Sequence, residues 1–467
     1  MTHSLDEKLA RLAALRPAPA SARSRAHGEV EHDAASQLPA EAAGLANLLG
    51  AQIERNRYGR HLVLRQWHSS PEACEPNAKA LELLLPAKSP GKVTPDSARK
   101  DAARAASDPS KWLFLDTETT GLAGGTGTYA FLVGLAWWDA GGLQIEQFFM
   151  RDYSEEHAVL LAVAERIAAR SVLVTFNGKS FDWPLLETRY RMTRAIRPPA
   201  LAAHLDLLHP ARQLWKLRLN SVRLTDLERH VLSQDSPLAW SRRDDLDSSL
   251  IPQMYFDYLR GSSPHPLAGV FRHNQMDLRA LATLAGRILS LLGNLAAPAA
   301  PNSPEQAIDL YGLSRLLGRR GEISRARAAC EGAIAGELPL GFARMAQREL
   351  AQMAKRQRDY GRATELWRQL ARSCSAKTPE VAIEACEQLA IYYEHHACDP
   401  LRAAHLAQAA MQQVRAASAA NPAAQPNLAH SRRIQARLER RLARLARKVG
   451  TADSSEPRRC DTGRNSA

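Results

Sequence analysis

The sequence predicts an α/β domain, a mixed sheet flanked by helices, over residues 111–292, followed by an all-helical domain. Three observations carry this expectation. Short, fully apolar runs bounded by turn residues lie between 112 and 176, as buried strands require. Helical periodicity then takes over, and strands leading with helices following describe an α/β layer structure. Beyond Pro301 the strand signal ends and a weak internal repeat begins.

Residues 1–45 are rich in Ala, Pro, Ser and Arg, as in Arg16-Pro17-Ala18-Pro19-Ala20-Ser21. Such a composition buries too little apolar area to offset its ordering entropy, so disorder is expected, with at most a short helix at 5–15. Residues 46–110 read as a small element with a strand at His61-Leu62-Val63-Leu64, then a Pro/Gly/Ser-rich linker over 88–110. Trp112-Leu113-Phe114-Leu115, ending in Asp116, reads as a buried central strand. A second strand at 129–138 and a third at 143–150 flank the turn Asp139-Ala140-Gly141-Gly142. A helix is expected at 155–169 and a fourth strand at 172–176, with helices at 184–192, 221–232, 252–259 and 270–292.

In the helical domain, 303–412, three stretches align: Leu313, Ala326, Cys330; Leu350, Ala363, Trp367; and Leu389, Ala403, Ala407. Turn-like joints fall at 318–322, 359–361 and 399–400, and the small alanines let paired helices approach closely. The pattern resembles degenerate tetratricopeptide-type hairpins, which implies a surface for a protein partner; an irregular bundle is the alternative. The remaining 413–467 form a basic helical or disordered tail. Within it Ile434, Leu438, Leu442 and Leu445 share a face amid arginines, suiting either a capping helix or a helix lying on a polyanion.

Over the 467 residues, 45% are hydrophobic and 24% charged, which excludes a chain disordered throughout. The formal charge of +13 favours nucleic acid or another acidic partner, and residues 411–467 concentrate it with twelve Lys and Arg against four acids. The six cysteines include no Cys-x-x-Cys pair, so neither a zinc finger nor a disulfide framework is expected. The N-terminus lacks a secretory signature, and the most apolar long window, 281–300, is broken by Arg287 and Asn294. A reduced, cytoplasmic protein without membrane association is the expectation.

The chemistry centres on Asp116-Thr117-Glu118-Thr119-Thr120-Gly121. Side chains at i and i+2 of a strand point the same way, so Asp116 and Glu118 set two carboxylates side by side. Like charges so close call for a cation, and hard oxygen donors suit Mg²⁺ or Mn²⁺. The motif resembles the first exonuclease motif of the DEDD (DnaQ-like) 3′–5′ exonucleases, which have a ribonuclease-H-like fold. Its continuation, Leu122-Ala123-Gly124-Gly125-Thr126-Gly127-Thr128-Tyr129, resembles the narrower YprB-type subgroup.

The second family motif is similar to Phe176-Asn177-Gly178-Lys179-Ser180-Phe181-Asp182-Trp183-Pro184, which supplies Asp182; alone, Asp182 would read as a helix N-cap. The third corresponds to His273-Asn274-Gln275-Met276-Asp277, where His273 and Asp277 share one helix face. Histidine here stands at the spacing of the family's tyrosine type. The resemblance implies Asp116, Glu118, Asp182 and Asp277 as ligands of two Mg²⁺ or Mn²⁺ ions, with His273 taking the proton of the attacking water. It further implies that Thr119, Gly121 and Leu122 line the pocket for the terminal nucleoside, with Asn177 assisting.

Two features stand outside the motifs. Asp206-Leu207-Leu208-His209 suits either a site-supporting role or a helix cap, and Arg242-Arg243-Asp244-Asp245 either phosphate contacts or self-neutralised surface charge. The function expected is metal-dependent 3′–5′ exonucleolytic hydrolysis of DNA or RNA, with a single strand or 3′ end as substrate. The alternatives are a catalytically weak nucleic-acid-binding adaptor using the repeats and tail, or a structure-specific endonuclease.

Overall fold

The computed structural model describes residues 40–69, 78–85, 101–102, 104–121, 125–233, 242–293, 300–372, 379–420 and 428–452. The expected disorder of 1–45 and the 88–110 linker therefore fall largely outside the described residues, although a helix, α1, spans Ala40–Leu49. One mixed sheet organises the first half. Its strands are β1 (Gln52–Asn56), β2 (Gly59–Ser69), β3 (Trp112–Thr119), β4 (Ala130–Asp139), β5 (Gly142–Phe149), β6 (Val172–Thr175) and β7 (Ala203–Asp206). They run in the order β1-β2-β5-β4-β3-β6-β7. Pairing is antiparallel from β1 through to β3 and parallel from β3 to β6 and from β6 to β7.

β3 is thus where the sheet changes sense, and it is buried on both faces. Trp112 and Phe114 enter one core with Val172 and Val174, while Leu113 and Leu115 enter the other with Leu135 and Leu173. Each such side chain contributes about 1.5–3 kcal/mol on burial. The β4–β5 hairpin closes through two residues at positive φ, Ala140 (47°) and Gly141 (78°), which match the twist of the flanking strands.

The sheet differs from the sequence expectation in two respects. β1 and β2 do not stand apart as a small element; β2 pairs along β5 from Leu62↔Phe149 to Ser69↔Gly142. β7 was absent from the reading because Ala203-His204-Leu205-Asp206 is too short and too polar to show a period.

Helices cover both faces: α2 (Ala78–Leu84), α3 (Glu156–Ala169), α4 (Asp182–Thr193), α5 (Leu208–Trp215), α6 (Ile251–Leu259) and the long α7 (His265–Gly293). The helical region then runs through α8 (Pro304–Arg319), α9 (Ile323–Ala335), α10 (Leu340–Arg356), α11 (Tyr360–Arg372), α12 (Pro379–His395), α13 (Pro400–Ala420) and α14 (Leu428–Ala452), each packed on the next. Every residue that carried the repeat is buried: Leu313, Ala326, Cys330, Leu350, Ala363, Trp367, Leu389, Ala403 and Ala407. Among the described residues no helix is long and apolar enough to cross a membrane.

The described residues from Gly44 onward form one compact unit, and one core runs from α2 and β3 to α12. The junction is tight. On α8, Gly312 lies against α5, where a Cβ would stand 2.1 Å from the Leu214 carbonyl oxygen. Beside it the Arg218 guanidinium donates twice to Asp309, at 2.8 and 2.7 Å. At the far end α14 packs through Leu438 and Leu445. Its Arg441, Arg444 and Lys448 converge on the fully buried Glu394 side chain of α12 at 2.6, 2.7 and 3.0 Å.

Gly312→Val forces α8 off α5 and is expected to cost ~1–3 kcal/mol, as overpacking does. The expected result is an earlier urea transition for both halves together.

Candidate active site

The site begins where β3 outruns its parallel neighbour. β6 pairs only as far as Phe114↔Val174, whereas β4 continues to Thr119 after an irregularity at Glu118/Thr119. Asp116 and Glu118 therefore continue the Trp112–Phe114 face into a recess at the carboxyl ends of β3, β6 and β7, the end where open α/β sheets bind ligands.

Asp116 is held from α7. Asn274 Nδ2 donates to Asp116 Oδ2 at 2.8 Å, while Gln147 Nε2 on β5 donates to Asn274 Oδ1 at 2.8 Å and to the Phe271 carbonyl at 2.8 Å. This buried amide chain fits only because residue 134, opposite Asp116, is glycine. A Cβ there would stand 2.1 Å from Asn274 Oδ1. Asn274 stands inside the motif His273-Asn274-Gln275-Met276-Asp277, but nothing local in the sequence marks Asp116 as its partner.

The second segment is shaped by Asp206 at the end of β7. Its Oδ1 accepts from the Asn177 and Leu208 amides at 2.8 and 3.1 Å, and its Oδ2 from the Lys179 amide at 3.1 Å. Asp206 thus both caps α5 and pins the loop leading to Asp182. Asn177 takes a left-handed φ of 67°, and a Cβ on Gly178 would stand 2.5 Å from Thr175. Asp182 begins α4, preceded by Phe181 as N-cap, and its Oδ1 accepts from Thr117 Oγ1 at 2.5 Å.

The third segment lies on α7. His273 and Asp277 share a face, with His273 Nε2 3.6 Å from Asp277 Oδ2. Opposite them, Arg242 bridges Asp277, Asp245 (2.7 Å) and Glu228, and His273 Nδ1 donates to Asp245 Oδ1 at 2.7 Å. Within the run, Arg242 and Asp245 pair with each other and are half-buried beside His273 and Asp277, whereas Arg243 and Asp244 are exposed.

Burial pushes the Asp116 carboxyl well above its ordinary range, and repulsion from Asp277, Glu118 and Asp182 adds to it against the Asn274 hydrogen bond. Burial raises Glu118 likewise, with Asp277, Asp182 and Asp245 repelling it. Asp182 is raised by burial, offset in part by Thr117. Asp245 runs the other way: burial opposes its charge, but the Arg242 and His273 hydrogen bonds hold it below the usual carboxylate range. The four predicted acids are thus close enough to repel one another. Two are turned aside, Asp182 to Thr117 and Asp277 to Arg242. Among the described residues no three Asp, Glu, His or Cys side chains stand as a ready-made ion cage. The donor chemistry nevertheless fits divalent cations, because crowded oxygen donors with uncompensated charge are what such ions neutralise.

Of the remaining predicted residues, Thr119 Oγ1 donates to the Gly121 carbonyl at 3.0 Å, so it shapes the end of the strand. Leu122 lies outside the described residues. The glycine-dense segment is fastened by Arg189, which donates to the Thr126 carbonyl at 2.7 Å, pairs with Glu156 and lies 3.8 Å over the Tyr129 ring.

Residues 113–289 match the family model of the RNase_H superfamily, and this part of the fold is ribonuclease-H-like. The chain is also 32% identical over 288 residues to a Bacillus subtilis (strain 168) protein, "Uncharacterized protein YprB". That match covers 60% of this chain and 64% of the relative, so the chain spans less than two thirds of the relative's length.

Because the folded-state pKa of Asp116 lies above the unfolded one, its protonated form favours folding. That contribution is complete below about pH 4 and is lost as pH rises through the raised value. Asp116→Asn removes the repulsion from the neighbouring acids and is therefore expected to raise the melting temperature of the chain at neutral pH. The gain should shrink towards pH 4, as thermal melts across that range will show.

Proposed function

We propose that the chain is a metal-dependent nuclease that hydrolyses phosphodiester bonds of DNA or RNA from a 3′ end. The observation that carries this reading is the mutual repulsion of Asp116, Glu118, Asp182 and Asp277, which come from three separated segments to the carboxyl end of β3. These four carboxylates would hold two Mg²⁺ or Mn²⁺ ions. When bound, such ions neutralise the phosphodiester and lower the pKa of water.

The chain's own residues supply the rest. Asn274 fixes the Asp116 carboxylate in one orientation through a hydrogen bond made before any ligand arrives. Asp206 holds the 177–179 backbone that leads to Asp182. His273, whose Nε2 is turned towards Asp277, would take the proton of the attacking water. Thr119, Gly121 and Leu122 would line the pocket for a terminal nucleoside, with Asn177 assisting.

The helical region is read as degenerate tetratricopeptide-like repeats that dock a protein partner or guide the substrate. The burial of all nine repeat positions supports that reading.

The test uses end-labelled single- and double-stranded DNA and RNA with and without Mn²⁺. Stepwise shortening from the 3′ end is expected, abolished in Asp116→Ala and Asp182→Ala and slowed about 10²–10⁴-fold in His273→Ala. Internal cuts would assign an endonuclease. Binding without cleavage would assign the adaptor, and undiminished cleavage by both aspartate variants would remove the metal site from the mechanism.

A further inference from the structure

We infer that Asp245 is the positioning residue of His273, fixing which ring nitrogen faces the acidic recess; this rests on the nuclease reading above. His273 is buried, and its two nitrogens face different acids. Nδ1 lies 2.7 Å from Asp245 Oδ1, a full hydrogen bond, whereas Nε2 lies 3.6 Å from Asp277 Oδ2, beyond hydrogen-bonding range. A carboxylate only accepts, so the proton of the neutral ring belongs on Nδ1. The lone pair is then on Nε2, the nitrogen turned towards Asp277 and the neighbouring acids. The hydrogen bond at one imidazole nitrogen decides the state of the other.

Asp245 is itself immobilised. Its Oδ2 accepts from Arg242 Nη1 at 2.7 Å and its Oδ1 from the Leu246 amide at 2.9 Å. Arg242 is in turn anchored by Glu228, with Nη2–Oε1 at 3.0 Å, and also reaches Asp277. Arg272 clasps the same loop through the Asp244 carbonyl at 2.8 Å. The charged groups around the ring are therefore Asp245, Asp277, Arg242 and, through its repulsion of Asp245, Glu118. The Asp245 carboxylate thus holds the ring by Nδ1 and leaves Nε2 directed at the acids. The pairing also accounts for the four-residue step from His273 to Asp277: a ring so close to a proposed ligand acid needs a second acid to turn its protonated nitrogen away.

The experiment uses the full-length chain with Asp245→Asn, Asp245→Glu, His273→Ala and the Asp245→Asn/His273→Ala pair. Long-range ¹H–¹⁵N correlation of ¹⁵N-histidine-labelled protein, with the His273 signals assigned by difference against His273→Ala, should show the Nδ1–H tautomer in the parent chain. Asp245→Asn should lose it. In 3′-end cleavage, Asp245→Asn should lower kcat about 10–100-fold with KM and calorimetric Mn²⁺ affinity little changed. Asp245→Glu should recover part of the loss, and Asp245→Asn should cost nothing further in the His273→Ala background. An unchanged tautomer, full activity, or losses that add to those of His273→Ala would overturn the assignment. If the parent chain cleaves nothing, the nuclease reading fails by itself, and the tautomer measurement alone decides the role of Asp245.

Discussion

A strand buried on both faces that ends in two carboxylates one residue apart imposes a charge on the molecule that the surrounding structure must manage. Two unit charges ~4 Å apart repel by about 4 kcal/mol at an effective dielectric near 20, and water cannot fully screen a recess. Asp116 and Glu118 cannot separate, because the pleat of β3 fixes them on one face. Asp182 and Asp277 then arrive from α4 and α7 and increase the repulsion.

Much of the local architecture answers that charge. Asn274 supplies Asp116 with a donor, and Gln147 and Gly134 exist in their positions so that Asn274 can. Thr117 takes Asp182, and Arg242 takes Asp277. Each arrangement satisfies one acid by a neutral or cationic donor, so the metal-free protein folds with its acids partly answered and partly not. In the nuclease proposed above, a cation would compete with Arg242 for Asp277 and with Thr117 for Asp182.

What was legible in the sequence follows from range. Trp112-Leu113-Phe114-Leu115-Asp116 declares a buried strand with an acid at its end, and the spacing of His273 and Asp277 declares a shared helix face; both are local facts. The joining of β2 to β5 is not local. Residues 62–69 and 142–149 show only that each is a strand, and pairing across about eighty residues leaves no periodic trace. The roles of Asn274, Asp206 and Asp245 were hidden for the same reason. Each is a side chain whose partner lies elsewhere in the chain: Asp116, the 177–179 amides and His273. For Asp206 the helix-cap alternative is half of the matter, since its carboxylate also shapes the loop before Asp182.

The basic surplus illustrates how composition and structure can part. In the sequence, the arginines of 432–448 suit a helix laid on a polyanion as well as they suit a cap. In the fold, Arg437 pairs with Glu387, and Arg441, Arg444 and Lys448 surround Glu394, whose carboxyl they hold down at about 2 against the opposing effect of burial. An acid whose folded pKa is lowered adds stability above its unfolded value, near 4.5, and loses it as pH falls towards 2. At neutral pH that contribution is complete, so these cations serve first to seat α14 on α12. The charge that the sequence concentrates in 411–467 is therefore not all available to a polyanion, because part of it is engaged in ending the helical stack.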